Sequence, residues 1–246
     1  MTTATLLAAG RGRRLGLDGP KVLLEVAGRS LLGRHLDHLD AVGVERLVVV
    51  TGFAHDTLTA ALDALRREAD EAGRPYRFDV EVRFNERFER GSLVSLACAF
   101  DRLEGGGLWM DADVMYPTDL LRRLVEASPP SCVLLDDRSS EQGEEMMLAV
   151  KGGRVRRIGR TVGAEWDLVG ESVGFFKIGT DHAAAFGAVL EAEIAAGRLD
   201  QEHEEGLDRA LDDLPFGYEL VGDVAWTEID FPDDVSRAEA IATGSE

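Results

Sequence analysis

The stretch Thr5-Leu-Leu-Ala-Ala-Gly10-Arg-Gly-Arg-Arg-Leu15-Gly16, followed by Gly19-Pro20-Lys21, combines an apolar run with a glycine-rich cationic loop. Residues 4–9 predict a short buried β-strand, and the loop after them carries four glycines and four cations. Glycine lets backbone N–H groups turn toward an anion and approach it closely, and the cations neutralise it. The stretch therefore predicts a polyphosphate-binding loop at the end of a strand.

Two better-known phosphate motifs do not fit this loop. The dinucleotide fingerprint needs a third glycine where this chain has Leu15, and the Walker loop needs Gly-Lys-Ser/Thr, whereas Pro20 precedes Lys21 here. A plain strand-to-helix turn would explain the glycines but not Lys21, because the chain has only two other lysines, Lys151 and Lys177.

Composition narrows the classes of function. The 246 residues fit one α/β domain with an elaboration. A net charge of −19 should repel nucleic acid and anionic membranes, so we expect neither as a partner. Two isolated cysteines, no signal-peptide pattern and no long apolar run predict a cytoplasmic protein. Five scattered histidines give no metal-ligand cluster.

Strand and helix patterns alternate over the first 135 residues. They predict an α/β fold with a doubly wound, mostly parallel sheet. The predicted strands are 4–9, 22–26, 47–50, 78–84, 108–110 and 132–135, and the predicted helices are 30–42, 54–72, 93–103 and 117–127.

The second half of the chain changes character. Segments 145–150, 154–159 and 169–178 predict antiparallel strands, and Lys151-Gly-Gly153 predicts the turn between the first two. Helices are predicted at 181–196, 202–211 and 232–242, and strands at 218–221 and 225–229. We interpret residues 1–246 as a single domain. Its parts are a first half that carries the glycine-rich loop (1–136), an elaboration (137–215) and a closing segment (216–246).

Acidic residues stand at two predicted strand ends. Asp111 and Asp113 follow the strand at 108–110, and Asp230 follows the late strand. Ligands of open α/β sheets bind at such edges, and carboxylates suit a hard divalent cation. An ordinary surface turn could also account for the first pair, and helix capping for Asp233 or Asp234 but not for Asp230.

These segments together resemble the cytidylyltransferases of phosphocholine and of phosphonates. The resemblance covers most of the chain. It rests on four segments: Leu7-Ala-Ala-Gly10-x-Gly12-x-Arg14-Leu15 with Pro20-Lys21-x-Leu-Leu, Asp111-Ala-Asp113-Val, Gly170-Glu-Ser-Val-Gly174-Phe-Phe, and Glu228-Ile-Asp230. It implies the Rossmann-like nucleotidyltransferase fold, CTP as donor, and Mg²⁺ held by Asp113 and Asp230. It also implies that residues 1–136 form the nucleotide-binding half, that 137–215 form an acceptor-binding elaboration, and that 216–246 contain the metal-ligand strand and the closing helix.

The resemblance also implies roles for further residues. Lys21, Arg11 and Arg14 are expected to act in catalysis. Nucleotide binding is expected from Leu7, Ala8, Ala9, Gly10, Gly12, Asn85, Gly91, Ser92 and Asp111, although Asp111 could also serve the metal and Gly91-Ser92 alone would suit an ordinary helix cap. In the implied reaction an ionised acceptor oxygen attacks the α-phosphorus and pyrophosphate leaves, so positioning and charge neutralisation suffice.

The acceptor is expected to be a small phosphonate, including carboxylated ones such as phosphonoformate. Arg154, Arg156 and Arg160 would share one face of a strand, and acceptor binding is expected from Glu145, Arg156 and Arg160. Phosphocholine is the alternative. Its aromatic cage would draw on Trp166, Phe175, Phe176 and Trp226, with Glu144, Glu145 or Glu171. Sugar-1-phosphate or molybdopterin-type transfer, a non-catalytic nucleotide-binding protein and a homodimer are further hypotheses.

Overall fold

The computed structural model describes residues 2–139, 143 and 145–244. Its strands are β1 (Thr3–Ala8), β2 (Glu25–Val26), β3 (Arg29–Ser30), β4 (Arg46–Thr51), β5 (Asp79–Phe84), β6 (Gly107–Asp111), β7 (Val114–Met115), β8 (Cys132–Asp136), β9 (Met147–Lys151), β10 (Arg154–Gly159), β11 (Leu168–Ile178), β12 (Gly217–Leu220) and β13 (Thr227–Glu228). Its helices are α1 (Leu31–Ala41), α2 (His55–Glu71), α3 (Ser92–Ala99), α4 (Thr118–Glu126), α5 (Thr180–Ala195), α6 (His203–Ala210) and α7 (Pro232–Thr243).

A nine-stranded sheet organises the molecule, with β10-β9-β11-β6-β1-β4-β5 in spatial order and β8 and β12 joined alongside β11. β1 pairs in parallel with β4 and β6, and β4 pairs in parallel with β5. β11 runs antiparallel to β6, β8 and β9. The prediction of a doubly wound, mostly parallel α/β sheet with an antiparallel elaboration is confirmed.

Both faces of this sheet are buried, as the β-branched run in β4 predicts. Because successive side chains alternate, Leu47 and Val49 enter the core on one face, and Val48 and Val50 enter the core on the other. The first core is covered by α1, α2, α4 and α7, and the second by α3, α5 and α6. The carboxyl ends of β1 and β6 are therefore held in a fixed position.

Three predicted elements differ in detail. Residues 22–26 were expected to be extended, but Lys21–Leu23 form a 3₁₀ turn after Pro20, which cannot donate a backbone hydrogen bond. The helix predicted over 93–103 ends at Ala99 and continues as a 3₁₀ turn. The strand predicted over 225–229 is reduced to Thr227–Glu228, because its partner β7 is also only two residues long.

The Lys151-Gly-Gly153 turn between β9 and β10 is confirmed, with positive φ angles of 61° and 73° at its two glycines. Within the part of the chain that is described, every helix is too short or too polar to cross a membrane.

Candidate active site

The phosphate-loop candidate leaves the sheet where β1 ends. Gly12 has a φ of +62°, and a Cβ placed on it would lie 2.9 Å from the Cβ of Lys21. A larger residue at position 12 would therefore be strained in its backbone and would collide with Lys21. The glycine lets two distant parts of the loop lie against each other and helps to fix the position of the lysine.

Lys21 lies between two acids. Its Nζ donates hydrogen bonds to Asp113 Oδ2 at 2.8 Å and to Asp230 Oδ1 at 2.5 Å. The residue is only 8% exposed. Burial alone would lower the pKa of Lys21, but the carboxylates of Asp113 and Asp230 outweigh it and raise that pKa above its ordinary value. Lys21 is therefore a fixed positive charge at this strand edge.

A backbone pairing brings the late acid to the early one. β13 pairs antiparallel with β7, and the N–H of Ile229 donates to the carbonyl of Asp113 at 3.0 Å. Asp234 accepts from the N–H groups of Asp230 and Phe231 at 2.8 and 2.7 Å. Asp234, the third residue of α7, thus satisfies the backbone N–H groups at the helix start, and the carboxylate of Asp230 faces Lys21.

Asp113, Glu228 and Asp230 form a carboxylate cluster. One oxygen from each lies within 4.8 Å of the others, and Oδ1 of Asp113 is buried without a hydrogen-bond partner. Carboxylate oxygens are the ligands that Mg²⁺ takes from proteins, so these residues fit the cation that the resemblance implies. An orphaned carboxylate oxygen in this cluster is itself a position where a cation would relieve an unmet charge.

A cleft of about 360 Å³ opens beside the cluster, a volume in the range of small-molecule sites. Residues from the loop, both halves of the sheet and the start of α6 line it together. They include Leu7, Ala9, Gly10, Arg14, Arg90, Ser92, Ser95, Asp111, Asp113, Arg160, Glu171, Gly174, Glu202, His203, Glu204, Glu228 and Asp230.

A second charged group lies in the cleft at Asp111, His203 and Glu204. Nδ1 of His203 is hydrogen-bonded to Glu204, and its Nε2 lies 3.7 Å from Oδ2 of Asp111. Burial alone would lower the pKa of His203, but Glu204 and Asp111 outweigh it and raise that pKa to about 9. The imidazole is therefore surrounded by negative charge.

The start of α6 is attached to the start of α3. Ser92 donates from its hydroxyl to Glu202 at 2.6 Å and accepts from the N–H of His203 at 2.9 Å. A Cβ on Gly91 would lie 2.0 Å from the carbonyl oxygen of Gln201, so only glycine allows this approach. Gly91 thus serves helix–helix contact, while Ser92 reaches the cleft.

The residues predicted for nucleotide binding and catalysis divide into two groups. Those that line the cleft are Leu7, Ala9, Gly10, Arg14, Ser92 and Asp111. Six others are absent from the lining, and two of these, Lys21 and Gly91, are described above. Ala8 is buried, the guanidinium of Arg11 lies 4.7 Å over the ring of Phe53, Gly12 contacts Lys21, and Asn85 is buried and donates to the hydroxyl of Ser95 at 3.0 Å.

The residues predicted for the acceptor are less closely grouped. Arg160 lines the cleft, and Glu145 lines an adjoining pocket that also contains Glu171 and Trp226. A bulge between Val155 and Arg157 breaks the alternation of β10, so the shared face expected for the arginines is not formed, and Arg156 lies outside both linings.

The four aromatic residues expected to form a choline cage do not lie together. Phe175 and Phe176 are fully buried in the two cores, and Trp166 packs beside Val162. Trp226 alone of the four lines the adjoining pocket, and it donates to Asp136 at 2.9 Å. Glu144 lies outside the described residues.

Sequence reasoning missed Glu228, His203 and Glu204 as site residues. The sequence does indicate Glu228, because it lies two positions before Asp230 and side chains two apart in an extended segment point to the same side. It does not indicate His203 and Glu204, since more than ninety residues separate them from Asp111 and only the packing of α6 against α3 brings them together.

The chain matches the model of the MobA-like NTP transferase domain over residues 4–213. It is 30% identical to the bifunctional IPC transferase and DIPP synthase of Thermococcus kodakarensis over 96% of this chain and 49% of that protein. It is 22% identical to the CTP:phosphoglutamine cytidylyltransferase of Campylobacter jejuni, over 94% of this chain and 97% of the relative. The chain spans about half the length of the first curated relatives it matches.

A solved structure shares the fold. The inositol-1-phosphate CTP transferase from T. maritima superposes with a TM-score of 0.75 at 22% identity, covering 99% of this chain and 97% of the other. The resemblance to nucleotidyltransferases inferred from the loop and the acidic strand ends is confirmed, and the chain belongs to the family of MobA-like NTP transferase domains.

Proposed function

We propose that this protein transfers CMP from CTP to a small acceptor carrying a phosphonate or phosphate group and releases pyrophosphate. The observation that carries the proposal is the position of Lys21, which lies beside the glycine loop and contacts both Asp113 and Asp230. A loop for the triphosphate, a cation for its charge and acids for a metal thus meet at one strand edge. The names of the relatives supply the CTP assignment.

The proposed reaction does not require the protein to transfer a proton, because the attacking acceptor oxygen is already ionised. An ionised acceptor oxygen forms the new bond to the α-phosphorus of CTP, and the bond to pyrophosphate breaks on the opposite side. Lys21 and Arg14 neutralise charge on the phosphates, and the loop orients them. Asp113, Glu228 and Asp230 would hold Mg²⁺, which supplies further neutralisation of the phosphate oxygens.

Within this class we name a small phosphonate as the acceptor, including carboxylated ones such as phosphonoformate. Arg160 supports this choice because it lines the cleft and a guanidinium can pair with an anion. Arg90 lines the cleft too, but it is paired with Asp200 and adds less support. Arg156 gives no support, because it lies outside the cleft lining.

Phosphocholine is the second candidate. It is favoured by the pocket next to the cleft, where Trp226 and the acids Glu145 and Glu171 lie together. Indole faces and carboxylates are what a quaternary ammonium binds. Phe175 and Phe176 are buried in the cores and cannot contact a ligand, which makes phosphocholine a weaker candidate than the phosphonate.

Pyrophosphate release measured with CTP, UTP, ATP and GTP across an acceptor panel tests the proposal. The panel should contain phosphonoformate, a neutral-chain phosphonate, phosphocholine, inositol-1-phosphate and a sugar-1-phosphate. We expect turnover with CTP and a phosphonate. Turnover with GTP alone would favour molybdopterin-type transfer, and efficient use of phosphocholine with no phosphonate active would reverse the ranking.

Two arginine variants make the acceptor test specific. Arg160→Ala should raise the KM for the acceptor about tenfold or more, because a charge-assisted hydrogen bond is worth more than about 1.4 kcal/mol. Arg156→Ala, from the same hairpin but outside the cleft, should leave that KM unchanged. Equal effects of the two substitutions would assign the arginines to general surface charge.

A further inference from the structure

The cluster of Asp111, His203 and Glu204 is distinct from the carboxylate cluster around Asp113. One ligand atom from each of the three residues lies within 4.8 Å of the others. Two of these residues open α6, and the third ends β6. This group offers an imidazole nitrogen as well as carboxylate oxygen, whereas the cluster of Asp113, Glu228 and Asp230 offers oxygen alone.

The imidazole of His203 has one satisfied and one unsatisfied nitrogen. Its Nδ1 is bonded to Glu204, which fixes the ring. Its Nε2 is buried, has no hydrogen-bond partner and is directed toward Asp111. The residue is only 2% exposed, and Trp109 and Phe176 pack edge-on against the ring. A buried, orphaned nitrogen aimed at a carboxylate needs an explanation.

The distance between Nε2 of His203 and Oδ2 of Asp111 suits a bound metal ion. Nε2 of His203 and Oδ2 of Asp111 are 3.7 Å apart, too far for a hydrogen bond. Bonds of about 2.0 to 2.2 Å from a transition metal to nitrogen and to carboxylate oxygen add up to roughly 4.1 Å. Since 3.7 Å is shorter than that sum, one ion can reach both atoms without any movement of the backbone.

Gly174 fixes the other side of the cluster. A Cβ at this position would lie 2.4 Å from Oδ2 of Asp111, the oxygen that faces His203. The absence of a side chain at 174 therefore lets Asp111 point toward the imidazole. Glu204 is bonded to Nδ1, as in the carboxylate–histidine–metal arrangement, in which a carboxylate orients the ring and the other ring nitrogen binds the metal.

We propose that Asp111 and His203, with Glu204 orienting the imidazole, form a second cation site that binds a divalent transition metal of the Zn²⁺ type. Imidazole nitrogen selects such ions over Mg²⁺, whose preferred ligands are oxygen atoms. All three residues line the cleft, so a coordination position faces the substrates. An acceptor with a hydroxyl, carboxylate or phosphonate oxygen can occupy that position.

Cobalt is the probe that tests the site without relying on activity. Metal-free protein is titrated with Co²⁺ in excess Mg²⁺, which occupies oxygen-only sites, and the visible absorption of Co²⁺ is followed. We expect a band typical of nitrogen and oxygen coordination that saturates at one equivalent and is displaced by Zn²⁺. His203→Gln should abolish it, and Glu204→Gln should weaken binding about 10- to 100-fold.

Matched variants separate this proposal from the proposed transfer reaction. His55→Gln removes a histidine that is hydrogen-bonded to Thr51 and does not line the cleft, so it should keep the full cobalt band. Asp113→Asn should also keep the band while losing turnover. Cobalt binding by an enzyme inactive with every nucleotide would still support the site.

A spectrum insensitive to His203→Gln, or no band at millimolar Co²⁺, would overturn the proposal and leave His203 as a protonated partner of two carboxylates. Near-UV circular dichroism checks that each variant is folded. If His203→Gln does not fold, the ¹⁵N shift of His203 Nε2 in the wild-type protein decides, because Zn²⁺ must move it and no movement would contradict the site.

Discussion

The ammonium group of Lys21 lies 2.5 Å from Oδ1 of Asp230, although 209 residues separate the two in sequence. The contact joins the first loop of the chain to the segment that leads into its last helix. It also means that Lys21 and any divalent cation on Asp113, Glu228 and Asp230 neutralise the same acids. The consequences of changing either partner are therefore linked.

Replacing Asp113 or Asp230 by Asn should abolish most turnover and leave the fold intact. Each change removes a proposed cation ligand and a partner of Lys21, and losing either should cost several kcal/mol of transition-state stabilisation. Steady-state kinetics over a range of Mg²⁺ concentrations measures the effect. Asp233→Asn, an exposed acid on the first turn of α7, is the matched control and should behave as wild type. If either Asp113→Asn or Asp230→Asn turned over at the wild-type rate at millimolar Mg²⁺, that residue would not be a metal ligand.

Lys21→Ala should weaken CTP binding as well as turnover. The side chain is a buried positive charge paired with Asp113 and Asp230, and its loss leaves both acids facing the triphosphate without that neutralisation. Calorimetric titration with CTP measures binding, and kinetics measures turnover. Lys151→Ala, at the hairpin turn, is the control for loss of a lysine. Unchanged binding and turnover in Lys21→Ala would reduce its role to that of a structural ion pair.

Gly174→Ala should lower turnover through Asp111. The new Cβ would lie 2.4 Å from Oδ2 of that residue, and the φ of +78° adds backbone strain of about 1 to 2 kcal/mol. Gly163→Ala is a close control, because Gly163 has the same φ of +78° but no heavy atom within 4 Å of the added Cβ. Urea unfolding should show a lower free energy of unfolding in both variants, because both strain the backbone. Steady-state kinetics should show a loss of turnover only in Gly174→Ala. A similar loss of turnover in both would mean that strain, not contact with Asp111, is responsible.

Acid should destabilise the fold through His35. This buried imidazole is bonded to Tyr116 and to the carbonyl of Ala112, and burial lowers its pKa to about 3. Between that value and the unfolded pKa of about 6.5, the unfolded chain binds a proton that the folded chain does not, so stability falls as the pH falls.

Urea unfolding from pH 7 to pH 4.5 measures this effect. His35 should contribute about 1.4 kcal/mol of lost stability per pH unit below about pH 6. His35→Gln keeps hydrogen-bonding groups but does not titrate, so its acid slope should be flatter by that amount. His38, whose pKa burial lowers to about 4, contributes in the same direction in both proteins. Parallel slopes for wild type and His35→Gln would contradict the assignment.

The sequence predicted the fold well because its signals are local. Apolar runs such as Val48–Val50 and glycines such as Gly10 and Gly12 act over a few residues, and their meaning does not depend on distant parts of the chain. The same holds for Asp111, since β6 and β1 are parallel strands and end at the same edge of the sheet. Asp230 reaches that edge by a different route, the antiparallel pairing of β13 with β7.

The features that the sequence could not predict depend on strand register and on contacts between segments far apart in the chain. Arg156 left the expected face because one extra residue in β10 forms a bulge, which alternation in the sequence does not reveal. His203 joined Asp111 because Ser92 and Gly91 hold α6 against α3, and that contact depends on two backbone segments approaching within the space that glycine leaves.

The long strand β11 has a consequence for how acceptor preference can change. Its first half pairs with β9 and its second half with β6, so one continuous segment belongs to both the hairpin and the central sheet. Strand β8 pairs with both halves of β11, across the irregularity between Ser172 and Phe176. A swing of the hairpin as a separate lid about this point would therefore break the pairing of β8 with one half of β11. New acceptors would have to be accommodated by exchanging side chains on a stationary wall, which makes residues such as Arg160 and Glu171 the natural positions for redesign.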